Sequence, residues 1–63
     1  MKDRTGTQKT VWLGSRAIGF RYLTKGGFYR GYSNLAGMGY GPFWFEIDAI
    51  AWVRRMHEEN ERE

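Results

Sequence analysis

The apolar residues of this chain change their spacing at Glu46, and that change limits the folds open to it. Between Ala17 and Thr24 large side chains recur at alternate positions, the period of a strand with two unlike faces, within a stretch 10–45 of short aromatic-rich runs. Beyond Glu46, residues Ala49, Ile50, Val53, Met56 and His57 fall on one side of a helical wheel, with Ile47 at its margin. A half-apolar sheet and a half-apolar helix must cover each other. The sequence therefore reads as α+β: a small antiparallel sheet of three or four strands within residues 10–45, packed against one C-terminal helix over about residues 46–59.

Val11, Trp12 and Leu13 form a short apolar run, and Gly14-Ser15-Arg16 reads as a turn. Residues 17–24 set Ile18, Phe20 and Tyr22 against Gly19, Arg21 and Leu23. Lys25-Gly26-Gly27 then predicts a hairpin, because glycine accepts the positive φ of tight turns. The following strand, from Phe28 to Tyr32 or Ser33, puts Phe28, Arg30 and Tyr32 on one face and Tyr29 and Gly31 on the other. Residues 33–37 loop back. The stretch GMGYGPFWF, residues 37–45, reads as a glycine-rich turn into a last strand at residues 43–45, with Pro42 at its start removing a donor from an edge. Glu46 and Asp48 suit the positive end of the helix dipole.

Residues 1–9 are polar and without period, and are expected to form a flexible basic arm ahead of a single domain at residues 10–63. A chain of 63 residues buries only about 60% of its unfolded surface. With no cysteine, neither disulfides nor a thiolate zinc site can make up the shortfall, so the aromatics, 17% of the chain, must fill the core. Core packing is accordingly the favoured role for Trp12 and Trp44. No run of about 18 apolar residues and no apolar leader segment is present, which points to a cytoplasmic protein away from the membrane.

Charge is distributed unevenly. Residues 1–45 hold seven Lys or Arg against Asp3, a net of +6, and residues 46–63 hold three against six acids, a net of −3. A basic aromatic body thus precedes an acidic tail.

Catalytic chemistry finds few of the groups it needs. The Gly37-Met38-Gly39-Tyr40-Gly41 run leads to Pro42 and a strand, whereas a phosphate-cradling loop needs a helix after its glycines, and the lysine and hydroxyl of the nucleotide-triphosphate motif are absent. His57 is the sole histidine and reads as a packing or surface residue. Glu46 and Asp48, two apart on a helix, point away from each other and cannot act as an acid and base pair. Ser15, Thr24 and Ser33 lack any local triad pattern. The expectation is a non-enzymatic protein with no cofactor and no metal.

Binding is better supplied. Lys9, Arg16, Arg21, Lys25 and Arg30 are interleaved with Phe20, Tyr22, Phe28, Tyr29 and Tyr32. Cations on an exposed β-face neutralise phosphates and aromatics stack on unpaired bases, so Lys9, Arg16, Arg21, Lys25, Tyr29, Arg30 and Tyr32 are the candidate contacts to a nucleic acid, with DNA the expected target. If Phe20, Tyr22 and Phe28 turn inward, Arg21 and Tyr29 turn outward, and Arg30 has the wrong parity for that outer face. The competing reading is that these charges only keep an aromatic sheet soluble and its edges unpaired.

Three strands followed by Phe43-Trp44-Phe45-Glu46-Ile47-Asp48-Ala49 at a helix start resemble the three-strand-plus-helix DNA-binding domain of plant ethylene-response factors and of the arm-binding domains of phage tyrosine integrases. Phe43, Asp48 and Ala49 match the family's strand-to-helix ending. The resemblance implies that the sheet face enters the major groove and that Arg16, Arg21 and Arg30 contact DNA. In its small size, lack of cysteine, aromatic content and charged tail the chain also looks like the accessory proteins of phages and prophages, some of which bind and inhibit host proteins. That likeness implies a protein partner, for which Met38, Tyr40, Trp44 and Trp52 are the candidate contacts.

Overall fold

A computed structural model describes residues 8–61 of the chain. The elements are β1 (Lys9–Leu13), β2 (Arg16–Leu23), β3 (Tyr29–Ser33), β4 (Met38–Phe43) and α1 (Glu46–Glu61). The strands form one antiparallel sheet in the order β1-β2-β3-β4, each paired with its neighbour in sequence, and the helix lies across one face. The α+β architecture expected from the change of period is the one observed.

Each connection has a local cause. Gly14 turns the chain between β1 and β2 at φ 65°, where a side chain would be strained. In the next hairpin Thr24 and Phe28 close the turn: the Thr24 N–H and hydroxyl both donate to the Phe28 carbonyl, at 2.8 and 2.9 Å, and Gly27 takes the positive φ. Ser33 shapes the third turn, its carbonyl accepting from the Gly37 N–H at 2.8 Å and its hydroxyl from the Ala36 N–H at 3.2 Å, which satisfies a fully buried side chain.

The helix sits over a glycine notch. A Cβ at Gly19 would collide with the Tyr32 carbonyl and come within 2.8 Å of Val53 Cγ1, and one at Gly31 would lie 2.9 Å from Val53 Cγ2. Val53 therefore straddles two bare backbone positions on adjacent strands, with no exposed surface left. Val11, Ile18, Trp52 and Val53 form the core, with Phe43, Ile50 and Met56 packed against it. The wheel assignment of Ala49, Val53 and His57 to the buried side holds, while Ile47, at its margin, is exposed.

Two irregularities reset the strand pattern. Val11 pairs with Gly19 and Trp12 with Ala17, so Ile18 is an extra residue in β2. At such a bulge two successive side chains share a side. Ile18 thus joins the core beside Gly19, instead of lining up with Phe20 and Tyr22 as strict alternation predicts. On the far side, Tyr29 pairs with Phe43 and Gly31 with Tyr40, which leaves an extra residue in β4 around Gly41 and Pro42, joined by a cis peptide bond.

Several boundaries differ from the sequence reading. The glycine-rich run is the edge strand β4 itself, because Met38, Gly39 and Tyr40 pair with Ser33, Tyr32 and Gly31; Trp44 and Phe45, expected in the last strand, form the bend that follows it. Lys9, expected in the arm, opens β1, and residues 1–7 of that arm lie outside the described residues. Trp12 and Trp44, favoured for the core, are 51% and 74% exposed, while Trp52 is 8% exposed. No helix of the described residues is long and apolar enough to cross a membrane.

Candidate functional site

The bulge and the glycine notch decide which sheet face meets the helix, and hence which residues remain available. Gly19 and Gly31 face the helix. Their strand neighbours Arg21 and Tyr29 share that parity, so both lie on the helix side. Phe20, Tyr22, Arg30 and Tyr32 take the opposite face. The sequence groups these parities but leaves open which set turns inward; in the structure Phe20 and Tyr22 lie away from the helix and Arg21 and Tyr29 toward it. The reason is volume: the helix approaches too closely to admit rings, and settles where the sheet has glycine.

Arg21 is accordingly removed from the outer face. Its Nε donates to Glu46 Oε2 at 2.9 Å and its Nη1 to the Thr10 carbonyl at 2.6 Å, tying the helix start to β1 and β2. Arg16, at the first turn, stands 3.6 Å from Glu61 near the other end of α1. Arg54 reaches back to the Trp12 carbonyl at 3.3 Å. Part of the charge asymmetry seen in the sequence is thus structural: sheet cations answer helix acids. Lys9 stands opposite Arg21 on the exposed edge strand, Lys25 is exposed in the β2–β3 turn, and neither has an ion pair among the described residues.

The uncovered face is aromatic. Phe20 and Tyr32, paired across β2 and β3, stack with ring centroids 5.1 Å apart and planes 17° apart, and Tyr22 lies 6.1 Å from Phe20. Such contacts add about 0.5–1.5 kcal/mol each to what area burial contributes. Tyr22 pairs with Arg30, whose stem crosses Gly41 of β4, the position at which a Cβ would lie 2.9 Å from Arg30 Cγ. Arg30 makes no ion pair among the described residues. Tyr32 pairs with Gly39, which is exposed and offers no side chain to cover the ring. All of Phe20, Tyr22, Arg30 and Tyr32 are half-buried, on the face of the sheet opposite the helix.

The second candidate group divides differently. Met38 and Tyr40 are 46% and 54% exposed on the helix side of β4, and Tyr40 stacks on Trp52 at 5.7 Å. Trp52 is therefore a buried support and offers little surface to a partner. Trp44 stands apart from them, edge-on to Phe28 at 4.8 Å.

No family model, curated protein or solved structure matches the chain. The site is read from its own geometry. Of the residues singled out by sequence, Arg30 and Tyr32 fall together on the open face, joined by Phe20 and Tyr22, whose side the sequence left open. Arg16 and Arg21 are engaged with the helix, Tyr29 lies on the helix side, and Lys9 and Lys25 flank the sheet. His57, the lone histidine, is 5% exposed between shallow hollows beside Leu13 and Leu35, with Nε2 3.7 Å from Glu61 and no hydrogen bond to either ring nitrogen. No group of three or more metal-ligating side chains occurs among the described residues.

Proposed function

We propose that this chain is a small, non-enzymatic nucleic-acid-binding protein, with DNA as its expected target, acting in the cytoplasm through the open sheet face. The observation that carries the reading is the stacked Phe20–Tyr32 pair beside Tyr22 and Arg30, which has no ion pair among the described residues, on the face opposite the helix. The described strands and turns bear five cations and no acid. Arg21 is held by Glu46, Arg16 stands beside Glu61, and Lys9, paired with Arg21, shares the helix side, so Arg30 makes the contact at the centre of the open face while Lys25, in the β2–β3 turn, meets phosphate at its margin. Rings that stack on a base and cations that displace counterions are the two ingredients of such binding.

The test is fluorescence anisotropy with short labelled single-stranded and duplex DNA at about 50 and about 200 mM salt, a range over which phosphate contacts weaken binding markedly. Binding that falls with salt and is weakened by Arg30→Ala is expected. Absence of binding to both forms at the lower salt refutes the proposal. A second reading, a phage-type protein that modulates a host protein, draws on residues 31–45, which carry no charge and include the exposed Met38, Tyr40 and Trp44. An uncharged edge strand is one that another chain can extend. Binding of that kind responds weakly to salt and survives Arg30→Ala.

A further inference from the structure

The geometry points to a single strand as the nucleic acid this face takes, with one unpaired base stacked on the side of the Tyr32 ring that looks over Gly39, and its phosphate at Arg30. This inference rests on the nucleic-acid reading above and sharpens it against the duplex contact that the resemblance implied.

Three features of the face lead there. The first is the orientation of the rings. Phe20 and Tyr32 are cross-strand neighbours with nearly parallel planes, so one side of Tyr32 is covered by Phe20 and the other is turned toward β4. There its neighbour is Gly39: a Cβ at that position would lie 3.6 Å from Tyr32 Cδ1 and only 3.0 Å from the Gly31 carbonyl, so the position favours glycine and no side chain stands beside the ring there. Gly39 is exposed and β4 is the edge of the sheet, so a flat ring can enter from the side without displacing any side chain.

The second feature is the position of the charge. Arg30 is one pair further along the same face, with its stem over Gly41, and its guanidinium has no ion-pair partner among the described residues. A base above Gly39 places the adjoining phosphate on the same margin of the sheet. Stacking and charge neutralisation are then met by neighbouring nucleotides of one strand.

The third is size. Strands lie about 4.8 Å apart, so the outer strand axes of this sheet are separated by about 14 Å, whereas the major groove is about 12 Å wide and admits a helix or a two-stranded ribbon. A duplex also keeps its bases stacked on one another, so it has no ring face to offer Tyr32. The four-stranded face suits a flexible strand whose bases are splayed.

The experiment compares three labelled oligonucleotides of equal length on the full chain at about 50 mM salt: a mixed-sequence single strand, its duplex, and a single strand with abasic sites in place of the bases. The single strand should bind at least about tenfold more tightly than either of the others, and Tyr32→Ala should weaken it by about 5- to 150-fold, the range of one stacked base. Tyr32→Phe keeps the ring and should stay within about twofold of the parent, which separates stacking from a loss of folding, with circular dichroism as the control on both variants. Equal or tighter binding of the duplex, or equal binding of the abasic strand, overturns this inference and leaves the nucleic-acid reading standing. Absence of binding to all three overturns both.

Discussion

Placing a methyl group at Gly31 tests the packing that determines which face of the sheet is left open. In Gly31→Ala the new Cβ would lie 2.9 Å from Val53 Cγ2, 3.2 Å from the Ala49 carbonyl and 3.3 Å from Trp52 Cε3. Gly31 has no positive φ, so alanine fits its backbone and should gain about 0.4–1 kcal/mol through the unfolded state. Overpacking costs about 1–3 kcal/mol, and with a helix backbone carbonyl among the three neighbours the upper half of that range applies, leaving a net loss of about 1–2 kcal/mol. For a domain of this size that is a fall in Tm of about 5–15 °C. Val53→Ala by itself removes two buried methyl groups and should cost about 2 kcal/mol including the cavity. In the double variant the alanine at 31 occupies room that Cγ2 has vacated. The combined loss should therefore fall short of the sum by about 1 kcal/mol, well beyond the 0.3–0.5 kcal/mol scatter of independent sites. Urea denaturation of the four proteins, fitted with a common m-value, measures that shortfall. Additive losses, or a Gly31→Ala protein as stable as the parent, would refute the notch as the reason for the helix's position.

Other consequences are equally direct. Arg21→Gln and Glu46→Gln should each cost about 1 kcal/mol, because the pair is partly sheltered and its hydrogen bond is charge-assisted; the two losses should not add, and both should shrink with salt in thermal melts. His57→Leu should raise stability by about 1 kcal/mol in the same assay, since it replaces a ring whose two buried nitrogens lack hydrogen bonds with an apolar side chain, and an unmet buried polar group costs about 1–3 kcal/mol. A loss of stability in that variant would mean that the 3.7 Å contact with Glu61 supports the fold.

The parts of the fold that are encoded locally were legible, and the parts that depend on distant residues were not. The hairpin at Gly26-Gly27 and the amphipathic helix follow from neighbouring residues alone. The bulge at Ile18 has no signature in residue type: Ile18, Phe20 and Tyr22 alternate cleanly, and only the pairing of Val11 with Gly19 and Trp12 with Ala17 shows that one of them changes side. The strand at Met38–Phe43 was obscured by its two glycines, whose low strand propensity argues for a turn, although Met38 and Tyr40 kept the two-residue period. Trp12 and Trp44 illustrate a different limit. The shortage of core in a small chain argues for burying every large ring, yet a notch of glycines lets Val53 and Trp52 close the core and leaves the other two indoles outside. The link between Arg21 and Glu46 joins residues 25 positions apart, so no reading of either segment alone reveals that this cation is engaged.

That engagement changes how the basic charge should register in solution. If every cation of the sheet were available to phosphate, replacing any one would flatten the salt dependence equally, by about 0.7 in the slope of log K against log salt for a single strand. The structure divides them. Arg30 has no ion pair among the described residues and lies on the open face, so Arg30→Ala should lower the slope by about 0.7. Arg21 is held against Glu46 on the opposite face, so Arg21→Gln should leave the slope unchanged while lowering stability. Taking the difference between variants removes any contribution from Lys2 and Arg4, which both variants retain. The two measurements, slope and stability, should thus respond to different arginines. Equal slope changes for the two would mean that phosphate draws Arg21 away from the helix, and the division of charge between fold and face would fail.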